Sequence, residues 1–101
     1  MGNAINNVIL TDFFPKSIFW DVDVDRLDYR DEIDFIIPRV LDKGLLFDCL
    51  DNLEQLYSLE AIQYFCKNSS QVFGNEKIKF LAKKYRLKPK QFLRYDPNIE
   101  L

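Results

Sequence analysis

Ile33, Ile36, Ile37, Val40 and Leu41 recur at i, i+3, i+4, i+7 and i+8. That spacing lays five apolar side chains on one face of a 3.6-residue period, and such a helix must bury its face against something. The pattern returns along the chain. Residues 45–56 put Leu46, Cys49, Leu50, Leu53 and Leu56 or Tyr57 on one side. Ser58 is an N-cap residue type, followed by Leu59, Ile62, Phe65 and Cys66 at inward positions. Asn75 stands in the same role before Ile78, Leu81, Ala82 and Tyr85. Pro89 suits a first helical position and opens a short helix with Phe92 and Leu93. Few segments alternate with period two. The expected fold is all-α, a compact bundle of four to five short helices.

Local signals set the boundaries. The first helix is expected to begin near Asp28, with Asp28 or Asp31 as cap and Gly44 at its end. Pro38 falls inside it, where a proline costs about 3 kcal/mol and favours a kink. Asn68–Ser70 reads as a turn. Residues 1–12 read as a loosely ordered segment, 13–95 as one helical domain and 96–101 as a tail. A chain of 101 residues leaves no room for a second sizeable core. Residues 13–20, FFPKSIFW, hold too many large apolar groups for a solvated loop. Phe14, Phe19 and Trp20 are therefore expected to anchor in the core. The alternative is that Phe19 and Trp20 form an exposed anchor for a protein partner, since Trp is enriched at binding hot spots.

Composition removes whole classes of chemistry. The chain has no histidine, so His-based general catalysis, His-ligated zinc and Ser-His or Cys-His pairs are excluded. Three glycines, none in a Gly-rich loop, supply no phosphate cradle. Cys49 and Cys66 have no metal-ligand spacing and read as buried small hydrophobes of a reducing compartment. No apolar stretch approaches the roughly 20 residues that cross a bilayer, and no signal-peptide pattern is visible. The expectation is a cytoplasmic protein without membrane contact, cofactor, metal or catalytic residues.

The net charge of −2 conceals an asymmetry. Residues 1–60 carry thirteen acids and five bases, a net of −8, whereas residues 61–101 carry three acids and nine bases, a net of +6. Such halves attract each other within one fold or between copies, or they meet charged partners. In the acidic half, Asp21, Asp23 and Asp25 alternate, with Glu32 at the twelfth position of a calcium-loop imitation. The sixth position, where that loop turns on glycine, is Arg26, so the aspartates read better as solvated or capping groups. In the basic half, residues 81–92 have helix-turn-helix flavour. Lys83, Lys84, Arg86, Lys88, Lys90 and Arg94 are the side chains that would meet nucleic acid.

The stretch Phe14-Pro15-Lys16-Ser17-Ile18-Phe19-Trp20-Asp21-Val22-Asp23 carries a family resemblance. With Phe35-Ile36-Ile37-Pro38-Arg39-Val40-Leu41-Asp42-Lys43-Gly44, it resembles the DUF6922 family of small bacterial proteins of unknown function. Pro89-Lys90-Gln91-Phe92-Leu93-Arg94-Tyr95 is similar to the family's closing stretch, with one extra residue before the arginine. The resemblance spans residues 13–95. It implies an antitoxin-like companion of nucleotidyltransferase toxins of the AbiEii type, and it implies no catalytic residue. The expected function is a non-catalytic interaction module that binds and restrains such a toxin. Its candidate contacts are Phe19, Trp20, Asp21, Asp23, Asp25 and Asp28. The alternative is a small nucleic-acid binder on the basic segment 77–94. A homo-oligomer is compatible with either.

Overall fold

Asp28 prepares the first helix. Its Oδ1 accepts from the backbone N–H of Arg30 at 2.8 Å and of Asp31 at 3.0 Å, and Glu32 Oε2 accepts from the Asp28 N–H at 2.7 Å. These bonds satisfy a turn over residues 29–32, much as a capping box does. The helix proper therefore begins at Ile33, later than expected, with Glu32 as the N-cap residue. The computed structural model describes residues 8–44, 49–72 and 74–98. Within them run α1 (Ile33–Lys43), α2 (Cys49–Leu56), α3 (Leu59–Asn68) and α4 (Asn75–Lys84). The 3-10 turns Leu10–Asp12, Lys16–Phe19 and Val24–Arg26 precede α1, and Pro89–Gln91 follows α4. No strand occurs among the described residues, and the architecture is the all-α bundle that periodicity demands. No helix among them is long and apolar enough to cross a membrane.

Helix α1 is the hub. It touches α2, α3 and the Lys16–Phe19 turn, and Ile36, Ile37, Val40 and Leu41 are completely buried. Pro38 lies within α1, which continues past it to Lys43, and the proline ring is itself buried. The ring replaces one hydrogen bond with core contact. Gly44 ends the helix by donating its N–H to the Val40 oxygen at 2.8 Å. A Cβ there would stand 2.6 Å from that oxygen and 2.9 Å from Cys49 Cβ, so glycine permits the close approach of α1 and α2. Residues 45–48, the expected start of the second helix with Leu46, lie outside the described residues.

Ser58 caps α3 as expected, its Oγ accepting from the Ala61 N–H at 3.1 Å. Ile62 and Cys66 are buried, whereas Leu59 is exposed on the first turn. Burial pushes the Cys66 thiol up to about 12, which leaves it unreactive. The cap of α4 differs from the expectation. Gly74, at φ +96°, takes that place, and the Asn75 side chain turns to the tail instead. Its Nδ2 donates to the Asp96 oxygen at 2.7 Å, and its Oδ1 accepts from the Asp96 N–H at 3.1 Å. At the other end Leu10 is buried within its 3-10 turn, so the packed body reaches further toward the N-terminus than residue 13.

The two charged halves meet inside the fold. Lys77 of α4 forms an ion pair with Asp42 of α1, whose side chain is only 8% exposed, and its Nζ also donates to the Asp42 carbonyl at 2.8 Å. Lys84 of α4 pairs with Glu54 at 3.4 Å and Asp51 at 3.7 Å, both on α2. The Tyr85 hydroxyl donates to Glu54 Oε2 at 2.9 Å, and Gln63 Nε2 of α3 donates to the Tyr85 carbonyl at 2.8 Å.

Candidate docking surface

The aromatic segment divides at residue 20. Phe14, Ile18 and Phe19 are buried. The Phe19 ring meets Phe14 edge-on with centroids 6.2 Å apart and leans on Phe35 of α1 at 6.4 Å. Phe19 is 1% exposed and so lies in the core, away from the surface on which the partner-anchor reading placed it. Trp20 does the opposite. It is 76% exposed, which corrects the expectation of a core anchor. The backbone turns just after Phe19, with the Val22 N–H donating to the Phe19 oxygen at 3.2 Å. The indole is thereby carried away from α1 while its neighbour is carried in.

A single guanidinium holds both flanks of that indole. Arg39 Nη1 donates to the Ile18 carbonyl at 3.1 Å and to Asp21 Oδ1 at 2.6 Å, and Nη2 donates to Asp21 Oδ2 at 3.0 Å. The Arg39 Cζ also sits 4.7 Å from the centroid of the Phe35 ring. A bidentate arginine–carboxylate pair with a stacked aromatic fixes geometry in a way lysine cannot. The hydrogen bond from Arg39 holds the Asp21 carboxyl below the ordinary carboxylate value, and the same bond raises the Arg39 guanidinium. Trp20 thus projects into solvent from a pinned backbone.

The remaining acids divide between local structure and solvent. Asp28 is taken up by the turn before α1. The N–H groups of Asp31 and Arg30 hold its carboxyl below the ordinary value. Asp23 accepts from the Asp25 N–H at 3.2 Å and pairs with Arg26 at 3.4 Å, in a setting too exposed to add much stability. Asp25 is exposed beside it. Among the described residues, no three metal-ligating side chains converge on one point. The face that surrounds Trp20 is therefore apolar at its centre, with Val22 also exposed, and acidic at its rim.

In the basic half, Lys83, Lys84, Arg86, Lys88, Lys90 and Arg94 are all exposed. Lys84 is engaged with α2, and Arg94 Nη1 lies 3.4 Å from the Ser70 carbonyl. The segment expected to form a second, groove-reading helix is a single 3-10 turn, Pro89–Gln91. The turn closes on itself, the Gln91 N–H donating to the Lys88 oxygen at 2.9 Å and the Lys88 N–H to the Gln91 side-chain Oε1 at 2.8 Å. Three residues span about 6 Å at 2.0 Å per residue, which is too short to lie along a DNA major groove. Phe92 is buried as expected, but Leu93 is exposed.

Two residues escaped the sequence reading. Arg39 lies 18 positions from Asp21, and no periodic signal links them. Phe80 of α4 stands outside the apolar stripe Ile78–Leu81–Ala82 and is 53% exposed. With Lys83 and Lys84 it lines an open groove of about 480 Å³. A family model described as a family of unknown function (DUF6922) matches residues 14–66. That span contains Trp20, Asp21 and Arg39 and stops before every member of the basic set. No curated protein and no solved structure matches the chain.

Proposed function

The chain belongs to DUF6922, a family of unknown function, and from that premise we propose that it is a non-catalytic interaction module that docks a protein partner through Trp20. In its most concrete form it is an antitoxin-like cytoplasmic protein that binds and restrains a nucleotidyltransferase-type toxin. The presentation of Trp20, 76% exposed between the Ile18 carbonyl and the Asp21 carboxylate that Arg39 holds, carries the reading. An indole left in water gains when a partner covers it. About 150 Å² of apolar surface at about 25 cal/mol per Å² is worth about 4 kcal/mol. Pinning the segment beforehand lowers the ordering cost of that contact. Asp23 and Asp25 at the rim favour a basic partner surface, of the kind that handles nucleic acid or nucleotide. Occluding such a surface is a way to restrain it without chemistry.

The test is capture by the tagged full chain from its host, with and without nuclease, beside a Trp20→Ala chain. The expected result is a stoichiometric nucleotidyltransferase that survives nuclease and is lost with Trp20→Ala. Recovery that does not depend on Trp20 overturns the docking role. Material that disappears with nuclease moves the function to Lys83, Lys88 and Lys90 and to nucleic acid, with the steep salt dependence that phosphate contacts impose.

A further inference from the structure

We infer that a second copy of this chain is itself an occupant of the Trp20 face, docked head to tail, with Trp20 of one copy in the Phe80 groove of the next. The inference rests on the reading of Trp20 as a docking residue and adds the identity of one ligand. Three observations carry it.

The groove is chemically suited to an indole. Phe80, Lys83 and Lys84 fall at i, i+3 and i+4 on α4, so one aromatic ring and two ammonium groups line the same open volume of about 480 Å³. An indole takes an offset or edge-on contact with a phenyl ring, and it is the aromatic face that attracts a cation best.

The rims are complementary in charge. Trp20 is followed in sequence by the exposed Asp23 and Asp25, and the groove residues Phe80, Lys83 and Lys84 are followed in sequence by the exposed Arg86, Lys88 and Lys90. The pairing of the two halves within one molecule runs through Asp42, Asp51 and Glu54 with Lys77 and Lys84. Among the described residues, no ion pair takes Asp23 or Asp25 to the basic half, and none engages Lys83, Lys88 or Lys90. The attraction between a −8 half and a +6 half is therefore only partly satisfied within the fold.

Neither surface covers the other in the folded chain, because Trp20 and Phe80 are both exposed. The contact has to be made between molecules. A net charge of −2 opposes it little at long range.

The two patches differ, so the contact is heterologous. It does not close as a two-fold dimer but adds copies at either end, and each interface is small. Association is consequently weak, concentration-dependent and sensitive to salt. Because it hides Trp20, a foreign partner would compete with it for the same indole.

Trp20 is the chain's single tryptophan, so its fluorescence reports its own burial. The experiment is sedimentation velocity with tryptophan emission on the full chain, from about 10 µM to about 1 mM, a range suited to a small interface. It is run at about 50 mM and about 500 mM salt. The wild type is expected to grow with concentration, with emission shifting to the blue, and to weaken about tenfold at high salt. Trp20→Ala removes one face, and Phe80→Ala with Lys83→Glu removes the other. Each variant is expected to stay monomeric, with circular dichroism showing intact helix. An equal mixture is expected to form a heterodimer of one copy each that grows no further, because each variant keeps the face the other lacks.

A wild type that stays monomeric throughout overturns the inference. So does a mixture that fails to recover association. Self-association that survives Phe80→Ala with Lys83→Glu does the same, because it would place Trp20 against something other than the groove. Capture of a foreign protein that still requires Trp20 in those cases leaves the interaction module standing, so the two failures are told apart.

Discussion

Beside Trp20 one arginine and one aspartate hold a stretch of backbone still, whereas Lys83 on α4 and Lys88 and Lys90 beyond it stay in water. Arg39, Asp21 and the Ile18 carbonyl form a local clamp with short bidentate geometry. On α4, Lys77 and Lys84 tie the helix to α1 and α2, while Lys83, and Lys88 and Lys90 after the helix, are exposed and outside those pairs. The difference separates two uses of charge. Where a guanidinium is largely withdrawn from water and satisfied at several donors, it determines shape. Where an ammonium stays solvated, it sets long-range attraction and contributes little to the fold. The matched span, residues 14–66, contains the clamp and excludes the cationic surface.

The contact that joins the two regions offers the largest effect. Asp42→Ala takes away a carboxylate only 8% exposed that pairs with the Lys77 ammonium. Removing one member of a buried pair is expensive, and urea unfolding at neutral pH is expected to show a loss of about 3 kcal/mol. Lys84→Ala breaks the more exposed pairs with Glu54 and Asp51, and its expected cost stays within about 1 kcal/mol. Equal losses in the two variants would break the distinction between a buried and an exposed ion pair.

The helices and the anchoring of the aromatic segment were legible because a 3.6-residue stripe reports burial directly. Ile36, Ile37, Val40 and Leu41 all sit where their spacing puts them. Ser58 was legible too, since a cap is a local hydrogen bond. The side of Trp20 was not. Phe19 and Trp20 are adjacent and similar in hydrophobicity, and a one-turn 3-10 segment has no period long enough to separate them. Which ring turns inward is decided by how the segment docks on α1, through Arg39 at a distance of 18 residues in sequence. The same blindness hid Gly74. Asn75 is a good capping residue by type, but its amide meets Asp96, 21 positions away, and that partner is invisible to local reading.

Loosening the clamp sharpens the contrast at smaller cost. Arg39→Met removes the bonds to Ile18 and Asp21 while keeping an apolar stem against Phe35. Melting is expected about 5 °C lower, with Trp20 anisotropy falling clearly and the helices retained. The wild type offers a parallel test by pH. Asp21 has its carboxyl depressed in the folded state, so its contribution is present above the unfolded value and is lost only as pH falls through the lower folded value. Trp20 anisotropy should therefore hold through the ordinary carboxylate range and drop below it. A drop at the ordinary value, or no change in Arg39→Met, would mean that something other than the guanidinium holds the indole.

The smallest effect is expected in the other direction, at the basic end. Helix α4 closes in a Schellman arrangement, with the Leu87 N–H donating to the Ala82 oxygen at 2.8 Å and Tyr85 as the C-cap. The residue between them, Arg86, has φ of 60°, a left-handed conformation that glycine adopts without steric cost. Arg86→Gly is expected to stabilise the fold by about 1 kcal/mol, measured by urea unfolding. Arginine at that position is strained and also exposed, so the backbone does not need it. If stability rises while protein capture and self-association are unchanged, the guanidinium is idle and the basic end acts through Phe80, Lys83 and Lys84. If stability rises while a nuclease-sensitive ligand is lost, the strain is retained for a contact to an anion, and the two regions of the molecule serve different partners.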